Sequence, residues 1–370
     1  MRIFFSSGEA SGDHLAALLV KSLQEEIPGI ECWGMGGPES RSAGMRADWS
    51  SESLQLMGIG EVVLSIPRLW RLKDEISRRI VLERPEAMVV VDSPDFHFPL
   101  LAQARRSGYR GTVIYLSPPQ VWAWRSGRTG FLKSACDLCL PLFDFEHEFL
   151  LQRGVPSAWV GHPFTDEFRS PQPLQEPEAG NRRVALLPGS RPGEIRRLLP
   201  VLLETSEHLR SRGFEPVFSI APGLEPRERE RLSSALEGRQ TCTEKGRFLM
   251  ERACCVIGAS GTAAVEAMML DRFMIVLYRA SLSSEFAFRL LVKTPHISIP
   301  NRLAGKRVYP ELVQGEARAS KILEYFEGYW AGGEGRKAVH EGLAKARSRM
   351  GKQGVAGFWA REVLERAWAR

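Results

Sequence analysis

The chain has 370 residues and a formal net charge of +6 at pH 7, with a sequence pI near 9.1; that length is too great for one core and suits two α/β domains of ordinary size. The apolar and charged fractions are those of a folded globular protein, and no run reaches the roughly 18 uncharged apolar residues of a spanning helix, so a membrane-spanning protein is excluded. Arginine well outnumbers lysine, a balance that favours an anionic partner: nucleic acid, a phosphorylated substrate or an acidic membrane surface.

Met1-Arg2 leads straight into a strand at Ile3 to Ser7, without a signal peptide, and a cytoplasmic enzyme is expected. Ser6 to His14 is a glycine-bearing turn into a helix over Leu15 to Glu26, and Glu31 to Gly34 starts a second strand before the loop Gly36-Gly37-Pro38. From Met57 to Leu72 the apolar residues Ile59, Val62, Val63, Ile66, Leu69 and Trp70 share one helical face, with Arg68, Arg71 and Lys73 at its end. That pattern fits either a buried amphipathic helix or a face that dips into a bilayer beside anionic headgroups. Ala87 to Val91 is the strongest strand and ends in Asp92-Ser93-Pro94-Asp95-Phe96, which places two carboxylates where parallel sheets bind ligands. Thr112 to Leu116 is the next strand and closes on Ser117-Pro118-Pro119, followed by Val121-Trp122-Ala123-Trp124-Arg125. The cysteines show no framework spacing, and Cys136 and Cys139 have no second pair to complete a zinc site, so reduced thiols are expected.

The stretch 169–182 is rich in Pro and Glu without apolar period and reads as a linker between a domain over 1–168 and one over 183–350. In the second domain Val184 to Leu187 is a strand, Pro188-Gly189-Ser190-Arg191 a turn, and Glu194 to Arg210 a helix. The apolar run Cys254 to Ile257 breaks at Gly258, and after Ala259-Ser260-Gly261-Thr262 an Ala/Met-rich helix begins. A turn of this kind points backbone N–H groups out of the positive end of a helix, a natural seat for a diphosphate. Glu266, one turn beyond Thr262, is placed either to accept from a ribose or to face solvent. Two successive runs of alternating strands and helices imply mostly parallel sheets and a cleft between two Rossmann-like domains. The segment 351–370 reads as a helix that packs either on its own N-terminal domain or on a partner's, which leaves a homodimer open.

The ordered motifs carry more than any one of them alone. Gly8-Glu9-Ala10-Ser11-Gly12-Asp13, Gly36-Gly37-Pro38, Met57-Gly58-Ile59, Asp92 to Phe96, Ser117 to Arg125, Leu187 to Arg191, Ala259 to Glu266, and Ser298-Ile299-Pro300-Asn301-Arg302-Leu303-Ala304-Gly305 together resemble lipid-A-disaccharide synthase across nearly the whole chain. The resemblance implies a two-domain GT-B fold and an inverting, metal-independent glycosyltransferase, with no cofactor, working at the cytoplasmic face of the inner membrane of Gram-negative bacteria. It implies UDP-2,3-diacylglucosamine as donor and 2,3-diacylglucosamine 1-phosphate as acceptor, hence two acylated partners, a membrane surface and no nucleic acid.

Inversion at a sugar needs a base for the acceptor hydroxyl and hydrogen-bond donors for the leaving diphosphate. Asp92 is the expected base, with Asp95 orienting it or capping the next helix, and Glu9 or His14 sharing the role. The donor side gathers Ser190, Arg191, Ser260, Gly261, Thr262, Glu266, Asn301 and Arg302, with Glu311 and Gln314 either lining the site or packing a helix. The acceptor side takes in Ser11 and Asp13, and Trp122, Trp124 and Arg125 either meet acyl chains and phosphate or sit in the core. The competing expectations are another UDP-sugar enzyme of the same architecture, such as an epimerase or a different glycosyltransferase, and a basic RNA-binding or membrane-peripheral adaptor without catalysis, for which no RNA-module signature is visible.

Overall fold

The computed structural model describes residues 1–51, 62–123, 126–168, 181–279 and 296–369, with only the backbone of 62–66. The chain divides into two units, one made of Met1–Asp166 and Gly351–Arg370, the other of Glu167–Met350.

The first unit is built on six strands, of which all but the edge strand at 46–50 are largely buried, as a parallel sheet covered by helices requires. They are β1 (Arg2–Ser7), β2 (Glu31–Gly36), β3 (Arg46–Ser50), β4 (Ala87–Val91), β5 (Thr112–Leu116) and β6 (Leu138–Leu140). All pair in parallel, in the order β3-β2-β1-β4-β5-β6. Alternation along β1 sends Ile3 and Phe5 into a core with Leu15, Leu19 and Leu23 of the helix Ala10–Glu26, while Phe4 joins Ile76, Ile80, Leu100 and Leu101 on the other side. Each such fully buried side chain contributes about 1.5–3 kcal/mol of transfer free energy.

The segment Gly351–Arg370 completes the first of these cores. Val355, Trp359 and Val363 of the helix Val355–Trp368 are buried against the helix Ala10–Glu26. Its N-terminus is capped from far away in sequence: Asp166 accepts from the amides of Gly354 (2.7 Å) and Val355 (3.0 Å). Thr112 donates to the carbonyl of Arg366 at 3.0 Å.

The second unit repeats the plan. Its strands are β7 (Arg183–Leu187), β8 (Glu215–Ser219), β9 (Gln240–Cys242), β10 (Cys255–Ala259), β11 (Met274–Tyr278) and β12 (Glu311–Val313), in the order β12-β11-β10-β7-β8-β9. Counted within the unit, this is the order of the first sheet read from its other edge. A buried polar knot ties its helices: Asp271 takes bonds from His340 (3.0 Å) and Arg347 (2.5 Å), and His340 meets the Tyr329 hydroxyl at 3.0 Å.

Two local expectations change. The strand expected to stop before Gly258 runs through it as β10, because a Cβ at Gly258 would lie 2.4 Å from the Leu187 carbonyl oxygen and 2.5 Å from its Cβ. The glycine there lets β10 and β7 lie side by side. The Pro310 to Gln314 stretch, for which helix packing was one expectation, forms the edge strand β12 and a following turn. All six cysteines are free thiols, and burial pushes that of Cys254 up to about 11.

Candidate active site

In doubly wound sheets ligands settle beyond the carboxyl ends of the strands where the strand order reverses. In the first unit that point lies between β1 and β4, where Ser7 pairs with Val91. In the second it lies between β7 and β10, where Leu187 pairs with Gly258.

At the first switch point Glu9 precedes the helix Ala10–Glu26, half-buried, and Ser11 is exposed in its first turn. The same turn of that helix runs past the end of β4, so that a Cβ on Gly12 would stand 3.6 Å from the Cβ of Asp92. Asp92 and Ser93 are consecutive left-handed residues, with φ of +57° and +44°. That conformation costs an L-residue roughly 1–2 kcal/mol, and strain of this kind gathers at functional sites. The carboxylate of Asp92 accepts from its neighbour's amide, Ser93 N, at 2.7 Å. Asp95 opens the next helix with its side chain 80% exposed and forms an ion pair with Arg128. Ser117, directly after β5, is also left-handed at φ +52°.

Two residues from the acceptor-side expectation are engaged within the chain. Asp13 is buried, and its carboxylate accepts from the amides of Gly37 (2.7 Å), Glu39 (2.8 Å) and Ser40 (3.3 Å) and from the Ser40 hydroxyl. It therefore pins the Gly36-Gly37-Pro38 loop at the end of β2. His14 reaches Glu39 at 2.6 Å and reinforces the same contact. Trp122 donates through Nε1 to the buried Glu146 at 2.9 Å and stands edge-on to Phe145. Trp124 and Arg125 lie outside the described residues.

At the second switch point, Gly189 (φ +114°) turns the chain after β7 and leaves Ser190 and Arg191 exposed at the start of the helix Pro192–Ser211. The Arg191 guanidinium lies 3.9 Å from Glu194 with its side chain 65% exposed. Beside it, Ser260 follows β10 and spends its amide on the Leu277 carbonyl. Gly261 takes φ +138° and ψ −150°, a conformation that essentially only glycine adopts. The helix Thr262–Met269 opens directly after it, so the first amides of that helix point out over the strand end. Thr262 is exposed there, and Glu266, half-buried, follows one turn on.

Gln314, left-handed at φ +52°, follows Val313, whose strand partner is Tyr278 at the end of β11. It thus joins Ser190, Arg191, Ser260, Gly261 and Thr262 at one sheet edge. Asn301 and Glu311 do not join them. Asn301 is fully buried: its side-chain oxygen accepts from the amides of Val308 and Tyr309, and its NH2 donates to the Tyr309 carbonyl and to Glu311. Glu311 also accepts from the Ile297 and Ser298 amides and from the Ser298 hydroxyl, just ahead of the helix Ile299–Ala304. The pair holds the 297–311 segment closed upon itself. Arg302, on the same short helix, is half-buried.

Sequence reasoning passed over Tyr278 and Arg197. The phenol of Tyr278 is pushed up by burial and by the Glu194 carboxylate, against the pull of Arg197 and Arg191, so these four side chains share one neighbourhood. Arg197 is fixed by a bond from Nε to the Arg279 carbonyl at 2.9 Å. A tyrosine closing an otherwise aliphatic strand next to β10 was the available signal.

On the Val62–Glu83 helix, Ile76 and Ile80 are buried, while Trp70 is 62% exposed with the Lys73 ammonium 4.6 Å over its ring, and Leu69 is half-buried. The side chains of Val62, Val63 and Ile66 lie outside the description. Among the described residues no helix is long and apolar enough to cross a membrane.

Comparison with known proteins agrees with this geometry. The family described as lipid-A-disaccharide synthetase matches residues 3–353. A lipid-A-disaccharide synthase of Myxococcus xanthus is 36% identical, covering 98% of this chain and 97% of its own length. One of Azotobacter vinelandii is 37% identical, covering 99% of each. Among solved structures, a UDP-GlcNAc 2-epimerase from Neisseria meningitidis bound to UDP-GlcNAc aligns over the whole of both chains with a TM-score of 0.64 at 14% identity. The calicheamicin glycosyltransferase CalG4 aligns with a TM-score of 0.57 at 13% identity, covering 100% of this chain and 98% of its own. These structural likenesses are of fold and identify the two-domain α/β architecture as GT-B. With the sequence matches spanning both units and every motif described, the chain belongs to the lipid-A-disaccharide synthase family and is a glycosyltransferase of lipid A disaccharide synthesis.

Proposed function

We propose that the chain transfers 2,3-diacylglucosamine from UDP-2,3-diacylglucosamine to the 6-hydroxyl of 2,3-diacylglucosamine 1-phosphate with inversion. The products are the β-1,6-linked disaccharide 1-phosphate and UDP. The observation that carries this reading is that the ligand-type residues of each unit collect at its own switch point, carboxylates in the first and amides with arginine in the second. Asp92 takes the proton of the acceptor hydroxyl as that oxygen bonds to the anomeric carbon. The bond from that carbon to the diphosphate oxygen breaks, and the leaving charge falls to the amides after Gly261 and to Arg191. Ser190, Thr262 and Gln314 bind the donor beside them, and Glu266 accepts from the ribose. Asn301 and Glu311 serve the donor site indirectly, by fixing the 297–311 segment.

The reaction uses no metal ion. Purified protein given both substrates in excess EDTA yields the tetraacyl disaccharide by mass spectrometry, with a β anomeric proton by NMR and one UDP per linkage. UDP-sugar loss without acceptor, as in an epimerase, or an absolute requirement for added divalent cation, contradicts the proposal.

Both substrates carry acyl chains, so the enzyme meets them at the cytoplasmic surface of the inner membrane. Trp70 belongs to that contact: it lies off the face of its helix that buries Ile76 and Ile80, beside Arg71 and Lys73, as interfacial helices arrange aromatic and basic groups. Trp70→Ser lowers co-sedimentation with anionic vesicles several-fold and leaves the thermal midpoint where it was. A lowered midpoint with unchanged vesicle binding assigns Trp70 to packing instead.

A further inference from the structure

Below Asp92 lies a buried assembly for which the proposed chemistry has no use. The carbonyl of Asp92 accepts two side-chain hydrogen bonds, from the Tyr115 hydroxyl at 2.6 Å and from His97 Nδ1 at 2.7 Å. The other ring nitrogen, Nε2, stands 2.8 Å from the Ser6 hydroxyl. Ser6, His97 and Tyr115 are all fully buried.

The proton positions follow from the partners. A carbonyl only accepts, so Nδ1 carries the ring proton, and Nε2 is left to accept from Ser6. Ser6 lies on β1, Tyr115 on β5 and His97 in the helix Pro94–Arg106, so three elements converge on the one peptide that ends β4. That peptide joins Asp92 to Ser93, the two consecutive left-handed residues. A left-handed pair persists only when its surroundings over-determine it, and two donors on one carbonyl, both set by buried neighbours, do so. The bond to the Asp92 carbonyl calls for a donor at the Nδ1 position.

We infer that His97, oriented by Ser6, and Tyr115 are positioning residues for sugar transfer: they hold the Asp92 peptide in its left-handed turn, and that turn aims the Asp92 carboxylate at the acceptor. The inference rests on Asp92 being the base.

Asparagine and glutamine separate the roles at 97, since the amide nitrogen of Asn falls near Nδ1 and that of Gln near Nε2. His97→Asn keeps kcat within about threefold of the parent, while His97→Gln and Tyr115→Phe each lower it roughly ten- to a hundred-fold with KM for both substrates little changed, the cost of misplacing a reacting group by an ångström or less. Thermal unfolding and UDP binding by calorimetry accompany each variant, and if His97→Gln does not fold, Tyr115→Phe decides. Folded Gln and Phe variants at the parental kcat overturn the inference, as does His97→Asn falling as far as His97→Gln. Asp92→Asn is assayed alongside. If it is inactive while the Gln and Phe variants are fully active, positioning alone fails; if it is active, the base assignment fails and this inference with it.

Discussion

Asp92→Asn lowers kcat at least about 100-fold, the usual worth of a general base, and leaves UDP affinity unchanged. Asparagine is the informative replacement for two structural reasons. It tolerates the left-handed backbone of position 92 (φ +57°) better than alanine does. Its side-chain oxygen also still accepts from the Ser93 amide, which holds the Asp92 carboxylate at 2.7 Å. The substitution therefore removes basicity and little else. UDP affinity is the internal control, because the proposed diphosphate seat, Arg191 and the turn at Gly261, belongs to the second unit. Steady-state transfer with saturating acceptor, beside calorimetric titration of UDP, measures both. More than about a tenth of the parental kcat removes Asp92 from the chemistry, since a positioned base contributes far more than that. Glu9, half-buried across the same switch point, is then the next carboxylate to test.

How much of this was legible in the sequence follows from where each strand lies. β1, β4, β5, β7, β10 and β11 lie inside their sheets and are largely buried on both faces, and apolar runs such as Ile-Phe-Phe and Ala-Met-Val-Val-Val announce them. The edge strands β3, β9 and β12 escape notice for the converse reason. β3 alternates exposed and half-buried residues, β9 reads Gln-Thr-Cys, and β12 is three residues opened by a glutamate. Ligand-type turns were legible because they need glycine and small polar residues at strand ends. What the sequence does not reveal is how a polar side chain is spent. Asp13 and Asn301 read like Asp92, yet their partners stand on the Gly36-Gly37-Pro38 loop and on the 308–311 segment, and those contacts exist only after folding. His97 lies five residues from Asp92 in the chain and still gave no signal, since its meaning comes from Ser6, 91 positions away.

His97 and a second buried histidine, His162, make the first unit acid-labile. Burial pulls the His97 imidazole down to about 4 from 6.5, against the bond to the Asp92 carbonyl, which favours the charged ring. Burial pulls His162 down to about 3, helped by the positive charge of His14 nearby. His97 is enclosed by Ser6, the Asp92 carbonyl and the rings of Phe96 and Tyr115; His162 by the Phe164 amide and the rings of Phe143 and Phe164. Both folded values lie below the ordinary one, so the unfolded chain takes up the protons first. Stability is complete above about pH 6.5 and declines as pH falls, at about 1.4 kcal/mol per pH unit per histidine. The share of His97 is exhausted near pH 4 and that of His162 near pH 3. A loss of several kcal/mol is large against the roughly 5–15 kcal/mol that holds a domain folded. In the second unit Asp271 behaves differently: burial pushes its carboxyl up, but bonds from His340 and Arg347 outweigh that and hold it below 3.8, so its contribution is lost only in stronger acid. Urea unfolding followed by tryptophan fluorescence between pH 7.5 and 4.5 measures the slope, and His97→Asn, which removes the titrating group but keeps the donor, flattens it by about one proton. A slope over that range untouched by both His97→Asn and His162→Gln contradicts the assignment of the two rings as neutral and proton-resistant in the folded chain.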